Sequence, residues 1–169
     1  ELHKALNAPV PQRFFEVLAD AEAFEPWLAE LAVPAPAVPA GLDGALPRYV
    51  ALTCPREPAA VARLSQRLRA PKRYALLAEQ GARHGRLLAR WWEADAGELQ
   101  DVLKRLQAFK TQTDLAPLWA GLGAAYGCDL TPLAELVAVL KIEVTAASMD
   151  PSLSGAALGR AIERRRSER

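Results

Sequence analysis

Apolar residues recur at spacings of three and four along most of this chain, the period of helices with one buried face. Between residues 11 and 21 the set is Phe14, Phe15, Leu18 and Ala21; between 57 and 69 it is Val61, Leu64 and Leu68. Tyr74, Leu77, Leu87 and Leu88 mark a longer helix over 71–90, and Leu99, Val102, Leu103 and Leu106 another over 97–109. Residues 1–6 read as the end of a helix closed by Asn7, and Pro26 fits the first turn of a short helix over 26–32. A helix over 115–126 stops at Gly127, a good C-terminal cap. Thr131 and Pro132 suit the cap and first position of a helix over 131–147, and a tail helix follows. The run RYVALT (48–53) fits a strand or a helical turn; no second strand candidate exists to pair with it, so helix is expected. The pattern predicts an all-α protein, an irregular bundle of about eight short helices with no fixed repeat.

Composition sharpens this picture. Alanine and leucine dominate the 169 residues and β-branched residues are scarce, which favours helix. Thirteen prolines in so helical a chain imply many short helices. The stretch VPAPAVPAGLDGALP (33–47) reads as a linker, and it is poor enough in polar residues to lie on the body. The organisation expected is helices over 1–32, that linker, a helical body over 48–150 and a basic tail over 151–169. No apolar run reaches membrane-spanning length and no signal peptide opens the chain. Cys54 and Cys128 lie far apart with no partner motif, as two reduced thiols of a cytoplasmic protein would. The opening ELHKAL, without Met, reads as a piece of a longer product.

A net charge of +1 conceals segregation. Residues 1–31 hold six acids against Lys4 and Arg13, and residues 56–90 hold nine bases against Glu57 and Glu79. Residues 93–150 are acidic again, and the tail carries five arginines against two acids. Such a pattern gives part of the surface a positive field at near-zero total charge. QRLRAPKRY gathers Arg67, Arg69, Lys72 and Arg73 at one helix–helix corner, where the start of the next helix adds backbone N–H groups. In the tail, Arg160 and Arg164 share a face, with Arg165 beside them, and Leu158 and Ile162 form an apolar stripe. These seven cations are the candidate nucleic-acid-binding residues, and two separated basic patches favour phosphate contacts.

Catalytic signals are scarce. Neither His3 nor His84 has a carboxylate or cysteine at metal-ligand spacing, and His84 is expected at a surface or interface. GLG at 121–123 lacks the Lys-Ser/Thr sequel of a phosphate loop and is expected to serve close helix packing. Trp91, Trp92 and Trp119 are expected in a core or interface, with base stacking as the alternative. No catalytic residue and no metal ligand is assigned.

Four stretches, in this order, carry a resemblance: NAPVPQRFFEVLADAEAFEPWLAEL (7–31), VARLSQRLRAPKRYALLAEQGARH (61–84), LQDVLKRLQAFK (99–110) and SLSGAALGRAIERRR (152–166). The chain resembles the neck, body and tail of bacterial CCA-adding enzymes, tRNA nucleotidyltransferases of the poly(A) polymerase type. The catalytic head of that family, with its magnesium and nucleotide loops, has no counterpart here, so magnesium and CTP or ATP would belong to a head outside this chain. The His-Asp phosphohydrolase centre found in many members is degenerate. Cys54 and Pro55 in RYVALTCPREP stand where its histidine and aspartate would be, and of that set only His84 remains. One imidazole cannot hold a two-metal centre.

The resemblance implies a fold like the C-terminal region of class II CCA-adding enzymes. It also implies binding of the acceptor and TΨC arms of tRNA in 3′-end processing, without catalysis by this chain alone. The partners implied are tRNA and a head domain, covalent or not, with no membrane and no DNA. A second reading is a headless helical domain that serves as a protein-interaction module.

Overall fold

The computed structural model describes residues 1–32, 36–143 and 149–167, without the side chains of 142, 143, 166 and 167. Residues 33–35 of the linker, 144–147 of the helix expected to run to 147, and the last two residues of the tail lie outside the described residues. Everything described is helix, turn or loop, with no strand. Among the described residues there are ten α-helices: α1 (Leu2–Asn7), α2 (Gln12–Asp20), α3 (Ala29–Ala32), α4 (Ala45–Thr53), α5 (Pro58–Arg67), α6 (Lys72–Leu88), α7 (Ala96–Arg105), α8 (Ala116–Tyr126), α9 (Thr131–Glu143) and α10 (Gly155–Ser167). The expected all-α bundle is what forms.

The chain makes two compact units, 1–89 with 116–130, and 90–115 with 131–169. In the first unit α4 is central. Tyr49, Val50, Ala51, Leu52 and Thr53 are all buried, as befits a helix whose one charged residue is Arg48. Helices α6 and α8 reach it through glycine. A Cβ on Gly121 would stand 2.7 Å from the Pro47 carbonyl oxygen and 2.7 Å from Val50 Cβ. On α6, a Cβ on Gly81 would stand 3.4 Å from Val50 Cγ1 of α4, and one on Gly85 would stand 2.8 Å from Leu122 Cδ2 of α8. The GLG segment is a packing device, as expected.

The helices of residues 1–32 share this core. Leu6, Phe15, Phe24, Leu28 and Leu31 join Tyr49, Val61 and Leu64 in one apolar cluster. Where it is described the linker is tied to α2, Gln12 donating to the Pro36 carbonyl (3.3 Å) and accepting from the Val38 N–H (2.9 Å). Arg48 ties α1 down by donating to the carbonyls of Leu6 (2.6 Å), Ala8 (3.1 Å) and Leu42 (2.6 Å).

Local chemistry moves three expected boundaries. The helix expected over 26–32 shrinks to α3, because residues 25–27 form a turn, closed by the Leu28 N–H donating to the Phe24 carbonyl at 2.7 Å. Helix α5 ends at Arg67 because Arg69 takes a left-handed conformation (φ 49°). The Ala70 N–H then reaches back to the Ser65 carbonyl (2.9 Å) and that of Arg69 to the Gln66 carbonyl (3.1 Å), the Schellman pattern. Helix α7 stops at Arg105, short of the expected 109, by the same device at Gln107 (φ 54°), with Ala108 bonded to the Leu103 carbonyl at 2.9 Å.

In the second unit Asp95 caps α7, its carboxylate accepting from the N–H groups of Gly97 (2.8 Å) and Glu98 (3.3 Å). Val102, Leu103 and Leu106 are buried, as are Leu133, Val137 and Leu140 of α9. Helix α10 packs on α7: Gln100 donates to the Glu163 carbonyl (2.6 Å), and Lys104 pairs with the Glu163 carboxylate (3.2 Å).

Candidate nucleic-acid interface

The cationic corner of the first unit is built by the end of α5 and the start of α6. Arg69, Lys72 and Arg73 have exposed side chains there. Pro71 occupies the cap position of α6 and offers no capping side chain, so the positive end of a 17-residue helix faces the same surface. Beside it opens a cleft of ≈ 280 Å³ lined by His3, Tyr49, Arg69, Pro71 and Tyr74, with the Glu1 carboxylate also in its wall. The His3 and Tyr74 ring centroids are 5.6 Å apart, and those of Tyr74 and Tyr49 are 5.7 Å apart. The corner therefore combines cations with the rings of exposed His3 and half-buried Tyr74, while Tyr49, itself buried, backs them from the core. His3, Tyr49 and Tyr74 were not expected at this site. They come from three helices, and no spacing in the sequence links them.

Arg67 has a different task. Its guanidinium takes the Glu30 carboxylate with both terminal nitrogens and also donates to the carbonyls of Pro26 (2.9 Å) and Trp27 (3.2 Å). Burial pushes the Glu30 carboxyl up. The Arg67 hydrogen bonds, a backbone hydrogen bond and the charges of Arg67 and Arg63 outweigh that and hold it below its ordinary value. Arg67 thus fastens α3 to α5, while Arg69, Lys72 and Arg73 face outward.

The second unit carries the tail cations. Arg160, Arg164 and Arg165 are exposed on α10, while Leu158 and Ile162 are half-buried. The apolar stripe and the charged face of this helix thus part as the spacing implies. Trp91 and Trp92 meet edge to face, centroids 6.4 Å apart, with Trp92 58% exposed; Trp119, in the first unit, is half-buried.

His84 is buried, at 9% exposed, and not at a surface. It sits between Gly81 and Gly85 on the face of α6 that also carries Leu77, Ala78 and Leu88. Cys54 is buried as well, and burial pushes its thiol up to about 12, so it stays protonated at neutral pH. Pro55 has no donor to offer. This donor set does not fit a two-metal hydrolase centre. Among the described residues no three His, Cys, Asp or Glu side chains come together as metal ligands, and no helix is long and apolar enough to cross a membrane. Neither cysteine is in a disulfide.

Comparison with known proteins finds no matching family model, no matching curated protein and no matching solved structure.

Proposed function

We propose that this chain binds tRNA, as the non-catalytic grip of a CCA-adding-type nucleotidyltransferase. The observation that carries the reading is the corner itself: Arg69, Lys72 and Arg73 exposed at the start of α6, beside a cleft edged by His3 and Tyr74. The exposed arginines of α10 add a second cationic surface, and the order of the four sequence stretches supports the family. Recognition is by phosphate contacts and shape, the mode A-form RNA allows. The chain then works in the cytoplasm, with a head domain that supplies the nucleotide and magnesium chemistry.

The test is tRNA binding across a salt series, with a random single-stranded RNA as control. Preference for tRNA with a steep salt slope is expected. Charge reversal of Arg69 with Lys72, or of Arg160 with Arg164, should weaken binding across all tRNA species. The slope should flatten by about 0.7–0.9 for every phosphate that is no longer neutralised. Equal, weak binding of both RNAs, unmoved by either reversal, rejects the reading. A protein-interaction module then becomes the better account. It is favoured by Trp27 (61% exposed) with Leu76 in the first unit and by Trp92 in the second.

A further inference from the structure

A second cationic feature of the first unit lies away from the start of α6. Where α4 ends, α5 begins and the middle of α6 passes, there is a hollow of ≈ 240 Å³. Arg56, Arg83 and Arg86 line it, and among the described residues Glu57 is the one carboxylate in its wall. Arg83 and Arg86, three apart on α6, share a helix face. Arg56 comes from the turn after α4, its N–H donating to the Thr53 carbonyl at 2.9 Å.

The framework is stiff. Pro55 precedes Arg56, and Pro58 opens α5 two residues later. The Arg86 charge acts on the Tyr126 hydroxyl, and that hydroxyl donates to the Cys54 carbonyl at 3.1 Å. Burial lowers the pKa of Arg56, so its charged form gains from an anion nearby. Three arginines against one glutamate give the lining of the hollow a positive balance.

We propose that this hollow binds a small phosphate-type anion, inorganic phosphate or the phosphate group of a small metabolite. Guanidinium forks match phosphate oxygens two at a time and hold them by charge-assisted hydrogen bonds. Ligand pockets for drug-sized molecules begin at about 300 Å³, so this one suits a phosphate with a small substituent better than a whole nucleotide. The site uses none of the cations assigned to RNA, so it stands or falls apart from that reading.

The experiment is a titration of the full chain with sodium phosphate and with sodium pyrophosphate, ionic strength held constant with sodium chloride. Heat of binding and melting temperature are both read. Saturable uptake and a melting temperature that rises and then levels off are expected. Arg83→Gln should weaken that uptake about tenfold or more. Arg83 is exposed, and its replacement leaves Tyr126 and its bond to the Cys54 carbonyl in place, so the variant should fold. Arg86→Lys, which keeps the charge and loses the fork, should weaken uptake less. A response that never saturates and equals the chloride control overturns the proposal. So does unchanged phosphate affinity in a folded Arg83→Gln chain. Loss of uptake on reversing Arg69 and Lys72, with Arg83→Gln unaffected, places the anion at the start of α6 and overturns it too.

Discussion

Arg67 holds Glu30 with both terminal nitrogens of its guanidinium, across 37 positions of sequence. The Glu30 side chain is only 10% exposed, so the pair joins α3 to α5 beneath the surface that carries Arg69. Removing one partner leaves the other short of its hydrogen bonds. Glu30→Gln should therefore lower the melting temperature at neutral pH by several degrees. Because the folded pKa of Glu30 lies below its ordinary 4.5, its contribution is complete above that value and lost as pH falls through the folded pKa. The gap between the two proteins should close on acidification. A gap of constant size from pH 7 to pH 3 would show that the charge is not what stabilises the pair.

Arg69 offers a test that separates backbone from charge. Its left-handed φ costs an L-residue energy that glycine does not incur. Arg69→Gly should stabilise the fold by roughly 1 kcal/mol in urea unfolding and at the same time weaken tRNA binding. Stabilisation without loss of affinity would remove Arg69 from the interface and leave Lys72 and Arg73 to carry it.

Two glycine-to-alanine changes should have opposite signs. Gly121→Ala drives a methyl onto the Pro47 carbonyl and Val50, and should cost about 2–3 kcal/mol of stability. Gly159, inside α10, meets nothing within 4 Å at its Cβ position. Gly159→Ala should therefore add roughly 0.5–1 kcal/mol to the stability of that helix. Unfolding curves for the pair decide the matter, and a Gly121→Ala protein as stable as the parent contradicts the close approach of α8 to α4.

The thiols should differ in reactivity. Cys128 is half-buried, while Cys54 is buried with a thiol pushed up to about 12. Iodoacetamide at pH 8 should modify Cys128 slowly in the native protein and Cys54 only after unfolding. Mass spectrometry of the native protein showing Cys54 alkylated first would mean that α4 opens far more readily than its packing implies.

Helix class and much of the core were legible in the sequence, because a buried face repeats with the helical period whatever it packs against. Val61, Leu64, Leu77, Leu88, Val102 and Leu103 are buried as the spacing predicts, while Tyr74 and Leu87 are only half-buried. The stop at Gly127 (φ 64°) was legible too, since glycine advertises a left-handed residue. The stops at Arg69 and Gln107 were not, because side chains of that kind do not announce a positive φ.

The sequence alone determined that this is a chain of short helices with segregated charge and glycines placed for close packing. Those properties are local: periodicity, cap chemistry and composition act within a few residues. Only the tertiary structure decided that Arg67 belongs to Glu30 and not to the solvent face, and that His84 is buried. It also decided that His3, Tyr49 and Tyr74 edge one cleft and that Arg56 meets Arg83 and Arg86 around another. Each depends on which helices lie side by side, and that is set by the burial of all their apolar faces together, which no short stretch of sequence contains.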